Sequence, residues 1–226
     1  KLPETVIALN VEAKAQDGQQ ELTASTNITL NDVTVDSPEA QVQLPQLAFE
    51  ADASAKGAGD NWDITTRANA TLSELDVASP QAAIALARAA LAMVAEASVG
   101  EQLDYQGSLT VAASDVAVQD GNSAAALVNL AQLDLSSAIQ HRKQGDVVTV
   151  KQLLLSGLDL LPATAQPTLI SDAVLQVDGV TVQLPSDHQA LDVIVDRVSL
   201  PQATVRFVRN AEGKLPQLAA VLGEEA

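Results

Sequence analysis

A cassette of about a dozen residues recurs roughly every 42 positions. The first two copies are Thr29-Leu30-Asn31-Asp32-Val33-Thr34-Val35-Asp36-Ser37-Pro38 and Thr71-Leu72-Ser73-Glu74-Leu75-Asp76-Val77-Ala78-Ser79-Pro80. Looser copies run over Ala113-Ser114-Asp115-Val116-Ala117-Val118, Leu155-Ser156-Gly157-Leu158-Asp159-Leu160-Leu161-Pro162 and Val195-Asp196-Arg197-Val198-Ser199-Leu200-Pro201. In each, a small or apolar anchor is followed by apolar residues three and five positions on. A fixed period means one supersecondary unit stacked on its neighbours, because a single unit cannot bury its own apolar face. Such a chain reads as a scaffold or conduit before it reads as an enzyme.

The unit is a pair of strands. Apolar residues alternate with polar ones over Leu22–Leu30, Val42–Phe49, Val148–Leu155 and Leu175–Leu184, the period of a half-buried strand. Turn chemistry interrupts the runs at Asp17-Gly18, Ser37-Pro38, Gly57-Ala58-Gly59, Ser79-Pro80, Val99-Gly100, Asp120-Gly121 and Gln144-Gly145, half a repeat apart. The expected fold is all-β: an elongated, curved antiparallel sheet of long strands, taco-like or sandwich-like, with little helix. One repeat-built domain spans 1–226, a fragment of something longer or a processed chain, with approximate repeats 22–63, 64–105, 106–147, 148–188 and 189–226. The alanine-rich stretch 81–97 has helix propensity. It is read as a strand because Ile84, Leu86 and Leu91 fall in step with Val42, Leu44 and Phe49 one repeat earlier.

Alternation fails between each anchor and the apolar residue three positions later. One extra residue would restore the face and bend the strand, as a bulge does; the other reading is that the anchor ends one strand and a tight turn begins the next. Bulges in register across several strands would curl the sheet into a trough.

Chemistry-bearing constellations are few. His141 lies in His-Arg-Lys-Gln-Gly and His188 in Pro-Ser-Asp-His-Gln, both read as surface loops without ligand-like neighbours. No nucleophile elbow and no phosphate-cradling glycine loop occur. With no cysteine in the chain there is no disulfide and no thiolate metal site, and no calcium-loop motif appears. No catalytic residue, metal or cofactor is assigned. Asp32 and Glu74 line up across repeats, which is the ordinary arrangement of a solvated face. A net charge of −17 repels phosphate backbones and argues against nucleic acid. No run approaches the ~18 apolar residues of a membrane-spanning helix.

What stands out is an aliphatic stripe: Leu30, Val33, Val35, Leu72, Leu75, Val77, Val116, Val118, Leu155, Leu158, Leu160, Val198 and Leu200. Aromatics make up 2% of the chain, so the stripe has the smooth character of Leu and Val. It is either the core of a sandwich or the floor of an open trough that takes acyl chains. These thirteen residues are the candidate lipid contacts.

The closing run from Val195 to Leu215, with its Pro201-Gln202-Ala203 and Val208-Arg209-Asn210-Ala211-Glu212-Gly213-Lys214-Leu215, resembles the AsmA-like proteins of Gram-negative envelopes. So do Val150–Leu158, Leu175–Val182 and the Leu-x-x-Val-x-Val-x-x-Pro-x-Ala rhythm of the opening cassettes. The resemblance implies a taco-shaped periplasmic sheet, tethered to the inner membrane by a segment absent from this sequence. Its apolar groove passes phospholipid toward the outer membrane. The implied partners are phospholipid acyl chains, flanking repeats of the same chain and an envelope protein at a sheet edge. The competing expectation is a structural or adhesive β-repeat of a cell-surface protein, with a closed core and no lipid.

Overall fold

Eighteen-residue runs of alternating polarity leave a chain one way to satisfy both its faces and its backbone, namely long strands paired side by side. The computed structural model describes residues 4–123, 125–142, 145–160, 169–185 and 192–207, with Arg209 and Gly213. Among these residues run ten strands, β1 (Glu4–Gln16), β2 (Gln19–Asp36), β3 (Gln41–Ala58), β4 (Asn61–Ala78), β5 (Ala82–Val99), β6 (Leu103–Asp120), β7 (Ala126–Arg142), β8 (Gly145–Leu160), β9 (Ile170–Pro185) and β10 (Asp192–Val205). All pair antiparallel with their chain neighbours in one open sheet whose spatial order is the chain order. The alanine-rich stretch is strand β5, so its cross-strand partners override its helix propensity. The hairpins β2–β3, β4–β5, β6–β7 and β8–β9 begin at Gln19, Asn61, Leu103 and Gly145. Each start lies one ~42-residue repeat after the last.

From its anchor to the apolar residue five positions on, each cassette lies inside one continuous strand, which removes the tight-turn reading. In the first four, the residue two after the anchor, or its equivalent, is a break in the pleat. Asp32, Glu74, Asp115 and Gly157 have φ of 55°, 57°, 53° and 62°, in the left-handed region that costs an L-residue roughly 1–2 kcal/mol. The ladder skips each of them, and it also skips Pro45, Ala87 and Ala131 in the strands between. Because every strand from β2 to β8 carries the extra residue, the register is unchanged across it. The bend is a transverse crease rather than a set of two-against-one bulges. Asp32 and Glu74 do line up, both exposed and with Pro45 between them.

The fifth cassette departs from this pattern. Its break falls at Asp196, opposite Gly179 (φ 66°), on a second irregularity that begins where β8 gains Lys151 against β7. The crease itself continues into β9 at Asp172 (φ 49°). His188, Leu161-Pro162 and most of Val208–Leu215 lie outside the described residues.

Gly57 shows how a hairpin end is fitted to its one large side chain. It is a strand residue rather than part of the turn, and a Cβ there would run into the Asn61 backbone carbonyl oxygen and meet the Trp62 ring at 2.7 Å. The indole rests on the bare backbone, and its Nε1 donates to the Gly59 carbonyl at 3.1 Å. Gly57→Val is expected to lift the ring off the sheet. Trp62 is the chain's one tryptophan, so a red-shifted and more quenchable emission checks this directly.

Candidate ligand-binding face

Directly paired residues of antiparallel strands point to the same face, so the register assigns every side chain to a side. One transverse row runs Ile7, Ile28, Phe49, Ala70, Leu91, Val111, Leu135, Leu153, Val177 and Val198. It crosses all ten strands, about 43 Å at ~4.8 Å per strand, without a polar member. The next row toward the crease runs Leu30, Leu47, Leu72, Ala89, Ala113, Leu133, Leu155 and Leu175. Beyond the crease, a third row runs from Val35 through Val42, Val77, Ile84, Val118, Val128 and Leu160 to Ile170 and Val205. A residue in the left-handed region adds a step without completing an alternation, which returns these rows to the same side.

Of the candidate contacts, Leu30, Leu72 and Leu155 share one row, and Val35, Val77, Val118 and Leu160 share another. Leu75, Val116 and Leu158 line up just beyond the crease, with Val33 paired to Leu44 in the equivalent position. Val198 belongs to the ten-strand row. Leu200 is the exception. It falls in the irregular stretch between Ser199 and Gln202, with no ladder partner to fix its face. Reading along the cassettes missed half of the surface, the odd-strand residues such as Phe49, Leu91 and Leu133. Their signal was the same alternation shifted by half a repeat.

No second layer covers these rows among the described residues. Only Ala68, Leu130, Leu169 and Ala173 are buried apolar side chains there, and no large side chain is fully buried. The chain exposes 14,723 Å², against about 9,700 Å² for a compact monomer of its mass. Leu9 on β1 is 71% exposed and Val198 on β10 is 62% exposed. A face of this size without a cover is the mark of an interaction surface.

The opposite face is polar and held by short side-chain ties. Lys56 Nζ meets Glu21 at 2.8 Å, Ser98 donates to Asp63 at 2.7 Å and Gln106 donates to Glu96 at 2.9 Å. Its hollows are lined by groups such as Thr23, Ser25, Asp52, Ser54, Thr65 and Arg67, in a space of about 400 Å³. Among the described residues, no three His, Asp or Glu side chains are placed to hold a metal ion, and no helix is long and apolar enough to cross a membrane.

Asp178 is a further tie on this face. Gln176 and Arg197 both donate to its carboxylate, Arg197 Nη2 at 2.6 Å. Together they hold the carboxyl below its ordinary range. A group depressed by folding contributes stability that is present above its unfolded value, about 3.9 for Asp, and lost as pH falls through the lower folded value. Asp178→Asn is therefore expected to unfold at lower denaturant than the parent at pH 7, with the gap closing below about pH 4. Urea titrations of both proteins at several pH values check this.

Near the hairpin ends of β7 and β8, the described residues of the apolar face carry a polar cluster that the sequence reading missed. His141 is half-buried rather than a free surface loop residue. Its Nδ1 lies 2.7 Å from Asp146 Oδ1, and its ring stacks on Tyr105 with centroids 4.9 Å apart. The Tyr105 hydroxyl, followed by His141, holds the Asp146 carboxyl below its ordinary range, and the same carboxylate pushes the Tyr105 phenol up. The available signal was a histidine and an aspartate standing in the apolar phase of β7 and β8.

Comparison of the chain with family models, with curated proteins and with solved structures returns no match.

Proposed function

We propose that the chain is a non-enzymatic lipid-binding segment whose apolar face accommodates acyl chains, as a conduit of the AsmA-like type would. The observation that carries this reading is the ten-strand row from Ile7 to Val198, aliphatic except for Phe49 and uncovered among the described residues. Acyl burial contributes roughly 0.8 kcal/mol per CH₂, so affinity needs area and no deep pocket. Rows of Leu, Val and Ala offer that area without aromatic traps, which suits a ligand that slides. The crease supports the same reading, since an extra residue in register across seven strands keeps the apolar rows on both sides of it on one face.

The proposal places the segment in the periplasm, in support of phospholipid transport to, or integrity of, the outer membrane. A tether to the inner membrane and flanking repeats of a longer chain belong to it. β1 and β10, outermost among the described strands, are where a flanking repeat or an envelope partner would add by strand pairing. Uptake of a nitroxide-labelled phospholipid by the purified chain, read by electron paramagnetic resonance, tests the reading. Immobilised label supports it; freely tumbling label at saturating protein overturns it.

A further inference from the structure

Between the crease and the far margin of the sheet, the ladder-paired residues of β2–β9 place ionisable side chains on the apolar face only at Tyr105, His141 and Asp146. The cluster is not simply the apolar face fading at its end. In the next row out, Trp62, Val99 and Leu103 remain apolar, and the cluster's own row continues through Ile64 and Ala97 on one side and Leu184 on the other. Polar groups set into an aliphatic surface mark where a ligand's polarity changes.

The hydrogen bonds decide which polarity fits. Asp146 is an ionised carboxylate held low by its two neighbours, and an ionised carboxylate only accepts. The His141 Nδ1, 2.7 Å from it, therefore turns its proton inward, and the same carboxylate pushes the neighbouring Tyr105 phenol up, so that it keeps its own proton. What remains to face a ligand is the Tyr105 phenol oxygen and the negative charge of the Asp146 carboxylate, with the His141 ring stacked beside them. The Tyr105 ring adds an aromatic face that attracts cations. A group offering acceptors and negative charge selects a cationic head that carries N–H donors.

We propose that Tyr105, His141 and Asp146 form a head-group site for an amphiphile with a primary ammonium, its acyl chain lying along the aliphatic rows toward the crease. This rests on the acyl-binding reading above and assigns that face a polar end. A long-chain amine and an ethanolamine phospholipid present the same ammonium, and the experiment separates them.

Calorimetric titration of the full chain with dodecylamine, dodecanol and dodecanoate, each below its micellar concentration, compares three heads on one tail. Dodecylamine is expected to bind about tenfold tighter than dodecanol, the scale of one charge-assisted hydrogen bond, with dodecanoate weakest. Asp146→Asn removes the charge and is expected to abolish the amine preference over dodecanol; His141→Phe keeps a ring to stack on Tyr105 but removes both nitrogens, and is expected to weaken that preference. Three equal affinities in the unaltered protein would overturn the head-group site while the acyl reading stands. Amine preference that survives both substitutions would also overturn it, by assigning the preference to the chain's overall negative charge. Binding of none of the three would overturn the acyl reading itself. Lysophosphatidylethanolamine binding tighter than its choline counterpart, which has no N–H, identifies a phospholipid source. Equal binding of that pair beside a retained dodecylamine preference identifies a simple amine.

Discussion

Leu72→Asp is expected to cut acyl-chain affinity at least tenfold while leaving the strand content of the protein unchanged. Leu72 pairs with Leu47 on one side and Ala89 on the other, in a row that has no polar member from β2 to β9. A carboxylate there must keep its water, so it holds a hydrated patch in the path of any acyl chain crossing the row. Losing contact with even two methylenes removes about 1.6 kcal/mol at ~0.8 kcal/mol each, more than a factor of ten. The fold tolerates the change because the face is open and the new charge stays solvated. Val77→Asp in the row beyond the crease is expected to act in the same direction. Thr71→Asp, one residue away on the polar face, is the control and leaves affinity as it was. Fluorescent fatty-acid titration with circular dichroism on the same samples checks all three.

The second large effect concerns the crease. Gly157→Val is expected to destabilise the sheet by about 2–4 kcal/mol, because two costs add. A β-branched residue is forced to positive φ, and its side chain is driven into a packed neighbour. The neighbour is Ala131, whose Cβ lies 2.7 Å from the position a Gly157 Cβ would take. Glu74 is the useful contrast, since it holds the equivalent left-handed position with a side chain already in place. Glu74→Gly relieves that strain and is expected to raise stability by about 0.5 kcal/mol, the ~1–2 kcal/mol of strain less the entropy a glycine loses. Chemical denaturation of the two variants measures both signs. If the crease were incidental, both substitutions would shift stability alike.

Most of this architecture could be read from the residues because the information is local. Alternation over Leu22–Leu30 or Leu175–Leu184 specifies a strand, Asp17-Gly18 and Ser79-Pro80 specify where it turns back, and the 42-residue period specifies which strands are neighbours. The three-residue offset from Leu30 to Val33 even marks the crease, since a strand can keep both leucine and valine on one face only by inserting a residue. Aspartate at positions 32 and 115 suits that place, because its short side chain tolerates positive φ better than most.

What could not be read depends on distant registration. Tyr105, His141 and Asp146 come from three strands and look unrelated until 105 is set beside 141. The fifth cassette matches the others in spelling, yet its break at Asp196 is matched to Gly179, a glycine that makes room for the Asp196 carboxylate. Whether the aliphatic stripe closes into a sandwich was likewise undecidable from the stripe, since a core face and an open face have the same composition. The single layer of the described strands decides that much.

The measurement that bears most directly on the central claim is native mass spectrometry of the purified chain, followed by organic extraction and lipid identification. The account predicts adducts of phospholipid or fatty-acid mass that disappear in Leu72→Asp. A lipid-free chain that also takes up no labelled phospholipid would contradict it and return the aliphatic face to a role in protein packing.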